Sequence, residues 1–401
     1  MHHQWATEFS IGRLIPIFLQ EVTPGDTWSG RSVGVLRLAP MVRPAFVTLK
    51  IHVHFFFVPH RIVWDEFEDF ITGQTTPVFP QTVLSQANWQ VDTALYKFLG
   101  VGDPGVGGQT INAIPGRSYN EVYNEFFRDQ EIQIPATNAS GTATTQRVSK
   151  SKDYLGALRD ELQQGAEETI DTSGATPGIT AVRDAMQRQR FREKRSRFGE
   201  RYHDLLAAWG VNAPDSRLDR PEHVAQGRAV MGVSEVLNTS NTDTGDLVGH
   251  GIAGVRCNFP KRVFVEHGLL MGFVVVRGRT QLENRLDKLW LNENKDDYFQ
   301  PELASNATMV TVDNREVWSG AASGNYAYQF RDEWLRSPND TFAGGMHNAT
   351  NDGWTGFNAN TVLPTVAGLN LADNLGTLFQ DQSAGAPAIW SLWDHHIGKR
   401  Y

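Results

Sequence analysis

Cysteine is nearly missing from this chain. Among 401 residues there is one, Cys257, so no intrachain disulfide forms and no thiolate zinc site can be assembled. Long apolar runs are missing too. The most apolar stretch, residues 269–276, is far too short to cross a bilayer. Residues 1–20 lack a basic start followed by an apolar run, so no secretory signal is expected, and the expected folding compartment is a reducing cytoplasm. The sequence has no HExxH, no GxSxG and no paired-cysteine motif. The Gly-rich run 100–108 lacks the Lys-Ser/Thr of a phosphate-binding loop and reads as a turn. Carboxylates are plentiful but no pair stands out, so nothing points to an enzyme. Excess positive charge is also absent: the formal net charge is −8, which argues against nucleic-acid binding over the whole surface.

What is present fits a globular chain that turns often. Hydrophobic residues make up 40% and charged residues 20%, with 37 Gly, 18 Pro and 11 Trp. Tryptophan in that number suits cores and subunit contacts. Residues 47–58 give the cleanest strand: Val47, Leu49, Ile51, Val53, Phe55 and Phe57 alternate with Thr48, Lys50, His52 and His54. That period of two places one face on a core. Pro59 ends it, because proline cannot donate to a ladder. Further strands are expected at residues 262–277 and 307–313. Helical spacing covers residues 61–71, 117–129, 151–169 and 181–209, the last bent or interrupted at Gly199.

Residues 1–30 read as an N-terminal arm ending in a turn at Pro24-Gly25-Asp26. Residues 59–230 read as mostly inserted helices and loops, and residues 320–386 as a second, loop-rich insertion. Strand patterning toward both ends around a helical middle is unlike a doubly wound α/β enzyme. It predicts one mainly β domain over residues 1–401, a barrel or sandwich with enlarged connections.

Several short strings sharpen this. Residues 115–131 read PGRSYNEVYNEFFRDQE. Residues 21–27 read EVTPGDT and residues 55–67 read FFFVPHRIVWDEF. Arg201-Tyr202, Gly210-Val211, Pro214-Asp215-Ser216-Arg217-Leu218, Arg220-Pro221-Glu222 and Glu266-His267-Gly268 follow in order. Taken together they resemble the major capsid proteins of microviruses, the small single-stranded DNA phages, with a gokushovirus-like cast. The resemblance implies an eight-stranded antiparallel jelly roll of viral capsid type, with most of the chain in insertions. It further implies a structural protein of the virion, a homo-oligomer closing into a T=1 icosahedral shell around single-stranded DNA. Spike, pilot or scaffolding proteins would be its minor partners, no membrane would be involved, and assembly would take place in the host cytoplasm. Gokushoviruses carry a long variable insertion ahead of the Arg-rich segment. Here only the loop of residues 165–180 stands in its place, which predicts no tall protrusion.

The candidate nucleic-acid-binding residues are Arg188, Arg190, Arg192, Lys194, Arg195 and Arg197, with Lys399 and Arg400 at the other end. Residues 183–201 carry +5 in a chain of −8, a density that suits phosphate contacts. The plainer reading is an amphipathic helix in which basic stems flank the stripe Phe191, Phe198, Tyr202, Leu205 and Trp209. Lys399 and Arg400 reach the particle interior on the first reading and fray on the second. His52 and His54 share a sheet face but lack an identifiable third ligand, and His395 and His396 point to opposite faces, so no metal site and no cofactor are expected. The rival reading from another class is a bacterial β-sandwich that binds carbohydrate or acts on glycosides, suggested by the tryptophans.

Overall fold

A computed structural model describes the chain apart from residues 138–139, 163–178, 200, 213, 238–246, 280–281, 283, 302–308, 348–362, 372–377, 382–386 and 401. The loop of residues 165–180 therefore lies almost wholly outside the described residues.

Eight strands form the main sheet. They are β1 (His2–Phe9), β2 (Ile15–Val22), β3 (Thr27–Leu38), β4 (Leu49–Pro59), β7 (Glu222–Leu237), β8 (Leu247–Val263), β9 (Gly268–Arg277) and β12 (Ile389–Arg400). Two short ribbons lie in the connections: β5 (Gln81–Leu84) with β6 (Gln109–Asn112), and β10 (Met309–Asp313) with β11 (Asn325–Phe330). The main order is β1-β12-β3-β8-β7-β4-β9-β2, antiparallel throughout. Strand β7 changes partner along its length. Glu222–Met231 pairs with β4 and Gly232–Leu237 with β8, so β7 joins two four-stranded halves. Ranked by chain position, one half runs first, eighth, third, sixth and the other second, seventh, fourth, fifth. That interleaving is a jelly roll.

The halves face each other across one core. Leu36, Val255, Cys257, Ile389 and Trp393 come from one side, and Leu49, Ile51, Val53, Phe55, Val274 and Val276 from the other. Phe55 and Phe259 meet across it with ring centroids 4.2 Å apart. The edge strands β1 and β2 also approach, His3 to Phe18 at 6.2 Å, so the sheet nearly closes on itself. Burial pushes the Cys257 thiol up to about 12, as befits a residue that only packs.

A second core explains why β9 reads as an unbroken apolar run. Its outward residues Leu269, Met271, Phe273 and Val275, with Phe56 and Val58 of β4, lie under the insertion between β4 and β7. Both faces of β9 are covered, so its alternation disappears, whereas Lys50 of β4 and Gln226, Arg228 and Val230 of β7 stay exposed. The cover includes the helix Ile114–Val122 and its π-helical continuation Tyr123–Phe127, which bury Tyr119, Val122, Tyr123 and Phe127. A third, smaller cluster gathers Tyr154, Leu155 and Leu158 with Val312, Val317 and Ala327 around the β10–β11 ribbon. By contrast, β12, β3 and β8 alternate buried and outward-facing residues over most of their length, as at 251–259 and 389–397.

Several sequence expectations need correction. Residues 1–30 are not an arm: β1 and β2 are full members of the sheet, paired with β12 and β9. Their polar outward residues had hidden the strand pattern. The long insertion spans residues 60–221, since β7 already starts at Glu222. Residues 151–162 form turns rather than a helix, and Glu266 and His267 lie in the turn between β8 and β9. The expected helix at 61–71 is two short ones, His60–Val63 and Phe67–Thr72. The segment 181–209 is interrupted at Gly199, as expected: Ile179–Phe198 and Tyr202–Ala208 are parted there, with φ +119°. That angle is open to glycine and costly for other residues.

Candidate nucleic-acid interface and assembly surfaces

The segment 115–131 is structural at every polar position that the contacts resolve. The Tyr119 hydroxyl donates to the Leu14 carbonyl and accepts from the Gln146 N–H, both at 2.8 Å and inside the core. Burial pushes its ionisation far up, so it stays a neutral donor. Asn124 holds Ala136 by two bonds, Nδ2 to its carbonyl at 2.9 Å and Oδ1 from its N–H at 2.8 Å. Asn120 donates to Thr137 O, and Arg117 to Val63 O at 3.2 Å. The guanidinium of Arg220 stacks on Phe126 at 4.2 Å and pairs with Asp215 at 3.4 Å. Arg201 donates to Asn124 O. The segment is thus a clasp that binds the insertion onto the sheet.

The Arg-rich helix Ile179–Phe198 is placed differently. No described side chain in it is buried. Arg188, Arg190 and Arg197 are exposed, while Arg192, Lys194 and Arg195 are half-buried. Arg197 lies over the Phe330 ring at 5.6 Å, and Arg192 and Arg195 also have contacts within the chain. Of the expected apolar stripe, Phe191, Tyr202 and Trp209 are exposed and Leu205 is half-buried, while the Phe198 side chain lies outside those described. A helix of this length holds its shape mainly through packing of one face, and here that face lies open.

The two terminal cations are not neighbours of that helix in role. Lys399 pairs with the buried Asp26 at 3.0 Å. Arg400 is exposed at the end of β12, in register with Thr27. Neither sits on a frayed tail: Lys399 and Arg400 stay in register with Trp28 and Thr27 of β3.

The histidines separate as expected for β4 and β12. His395 is buried with Nε2 2.9 Å from Ile17 O, whereas His396 is exposed. His54 Nδ1 lies 3.2 Å from His223 Nε2, with His52 stacked at 6.2 Å. Burial, then the neighbouring His223, His52, Arg277 and Arg228, pulls His54 down to about 3. Burial, then Arg277, Arg228 and Lys50, pulls His52 to about 4. Among the described residues one group has metal-like spacing, His2, Asp394 and His396. These groups satisfy each other: Asp394 bonds His396 at 2.9 Å and also His2, and the two rings stack at 4.6 Å. Sequence reading missed His2, because its link to Asp394 and His396 depends on the β1–β12 register.

A jelly roll whose connections carry two long insertions belongs to the class of viral capsid and lectin-type domains. Within that class, the chain belongs to the phage capsid protein (F protein) family, whose model matches residues 1–181 and 170–375. It is similar to capsid protein VP1 of Bdellovibrio phage phiMH2K, at 26% identity over 81% of this chain and 77% of the relative. It is also similar to capsid protein VP1 of Chlamydia phage 1, at 21% identity over 79% of this chain and 76% of the relative. Capsid protein F of Escherichia phage G4 is 22% identical over 83% of this chain and 79% of the relative. The carbohydrate reading finds no support in these relatives.

Proposed function

We propose that this chain is the major capsid subunit of a small icosahedral single-stranded DNA phage, and that its activity is assembly. The observation that carries the reading is the family match, which runs through the jelly roll and its first insertion alike. The surface supports it. Phe191, Tyr202, Trp209, Trp290, Tyr298 and Phe299 are exposed on the insertions, more large apolar surface than a lone domain usually leaves open. Heterologous contacts that close into rings around fivefold and threefold axes bury such surface in a shell of T=1 symmetry. The subunit then resides in the virion, after assembly in the host cytoplasm, with packaged DNA and minor spike, pilot or scaffolding proteins as partners. As a capsid protein it has a structural role, not a catalytic one.

Negative-stain imaging and size-exclusion chromatography of the protein from its native source test this reading. Uniform shells are expected; a monomer overturns it. Arg188, Arg190, Arg192, Lys194, Arg195 and Arg197 are proposed to contact phosphate. Changing Arg190, Arg192 and Arg195 to Gln keeps most of the stem and the helix propensity. Folded subunits that form shells holding less DNA, or releasing it at lower salt, are expected. Failure of shell assembly instead makes the helix an inter-subunit bridge, and normal shells with normal DNA make it a solvated face.

A further inference from the structure

The outer face of β12-β3-β8 is left uncovered by the described residues. In the opposite half the outer residues of β9 and the end of β4 are buried under the insertion. Here side chains on each strand alternate inward and outward. Trp390, Arg37 and Ile252 form one cross-strand row, and Leu392, Val35 and Gly254 the next. The four apolar members are well exposed: Val35 49%, Ile252 55%, Trp390 42% and Leu392 49%. Consecutive outward rows are roughly 7 Å apart and strands about 4.8 Å apart, so these four make one contiguous patch.

Cations frame the patch. Arg37 lies within it, and Arg31 and Arg256 lie beyond it on the same face, all exposed. Arg31 and Arg37 are six residues apart on β3, roughly 20 Å. Among the described residues none of these three arginines forms an ion pair; Arg256 donates to Asn258 Oδ1 at 2.9 Å. Among the described residues of β1, β12, β3 and β8, the two carboxylates on this face are already engaged. Glu8 accepts the indole N–H of Trp390 at 3.2 Å, and Asp394 is held between His2 and His396. At the patch edge a cavity of about 870 Å³ opens between β1, β12 and residues 92–98, with Trp390, Leu392, Arg37, Arg13 and Lys97 in its wall and Glu8 and Asp92 beside them.

We infer that this sheet face is a binding surface for single-stranded nucleic acid, with bases against Trp390, Leu392 and Val35 and phosphates on Arg31, Arg37 and Arg256. The inference rests on the capsid reading for its biological setting but not for its chemistry. Three guanidinium groups that form no ion pair among the described residues, in a chain of net charge −8, select a polyanion. An aromatic ring and apolar patch between them select one with unpaired, flat bases, since a duplex keeps its base faces stacked inside. The cavity falls in the size range that takes small-molecule groups, enough for a splayed base.

The test uses full-length subunits released from shells and a fluorescein-labelled oligothymidylate, read by anisotropy across a salt series. Removing one arginine–phosphate interaction lowers the slope of log K against log salt by about 0.7. The triple variant Arg31→Gln, Arg37→Gln, Arg256→Gln should therefore lower it by about 2. Trp390→Ala should weaken binding roughly 5- to 150-fold, and Trp390→Phe should restore most of it. A labelled duplex of the same length should bind less tightly. Unchanged affinity and slope in the triple variant overturn the proposal. So does a triple variant that binds oligothymidylate normally yet fails to form shells; this face is then an interface between copies, and the capsid reading stands. If the natural chain forms no shells, the capsid reading falls, while purified full-length protein still decides the oligothymidylate result either way.

Discussion

Lys399 closes the β2–β3 turn by reaching back to Asp26, Nζ to Oδ2 at 3.0 Å, with the aspartate side chain fully enclosed. The same carboxylate oxygen accepts the Thr23 N–H at 2.9 Å, and the turn is tied to Phe264 by Gly25 N–H to its carbonyl at 2.8 Å and its N–H to Asp26 O at 2.9 Å. The ammonium also lies over Trp28 at 5.7 Å. The string Pro24-Gly25-Asp26-Thr27 is therefore a socket for the last strand.

Lys399→Met should leave a buried, uncompensated carboxylate and cost about 3 kcal/mol, read from the urea midpoint of free subunits at pH 7. Burial raises the Asp26 carboxyl, but the bonds from Thr23 and Lys399 outweigh it and hold the group below its usual range. A carboxylate with a depressed folded value stabilises the fold above its unfolded value, near 4, and that contribution disappears as pH falls through the folded one. The gap between natural and variant protein should accordingly narrow below about pH 4. A gap independent of pH sinks the assignment.

Gly34 and Trp393 oppose each other across β3 and β12, and a Cβ on Gly34 would lie within van der Waals overlap of the fully buried indole. Gly34→Ala should destabilise by about 1–3 kcal/mol through overpacking. In a Trp393→Leu background the same change should cost much less, giving a clear coupling in a double-mutant cycle. Additive effects would show that the glycine is needed for another reason.

Acid should weaken the free subunit through its buried histidines. Burial, partly offset by the bond to Ile17 O, lowers His395 to about 4, and burial with His223 lowers His54 to about 3. The unfolded chain binds these protons near pH 6.5 while the folded one refuses them, so stability declines as pH drops below about that value. The slope approaches about 1.4 kcal/mol per pH unit for each such group. His54→Leu should flatten the decline of melting temperature between about pH 6 and pH 4. An equally steep decline in that variant would place the acid sensitivity elsewhere.

The sequence showed most where burial was one-sided and least where it was not. Residues 47–58 alternate because β4 sets Leu49, Ile51 and Val53 on the inner core while Lys50, His52 and His54 stay less buried. Strand β1 escaped notice because it carries His2, His3, Gln4 and Glu8 on a sheet edge. The jelly-roll order itself depends on β7 switching partners at Met231–Gly232, which no periodicity records. The Arg-rich segment was legible as helices broken at Gly199, but not its exposure, since a stripe reading Phe191, Tyr202 and Trp209 looks the same facing its own core or a neighbour's. The cation cluster on the outer sheet face went unseen because Arg31, Arg37 and Arg256 are spread along the chain and meet only through the β3–β8 register.

The exposed Arg-rich helix should depend on its surroundings for stability. With no buried side chain among those described in Ile179–Phe198, little tertiary packing holds it in a free subunit, and a helix of that kind is marginal alone. Amides of residues 179–198 should exchange with deuterium quickly in free subunits, while those of β3 and β12 exchange slowly. In assembled shells the helix should become protected, because neighbours or nucleic acid cover Phe191 and the flanking arginines. Shells emptied of DNA separate the two causes: protection that survives emptying comes from subunit contacts, and protection that vanishes comes from phosphate. Equal protection in free subunits and shells would mean that the helix is stable by itself and that its open face takes no part in assembly.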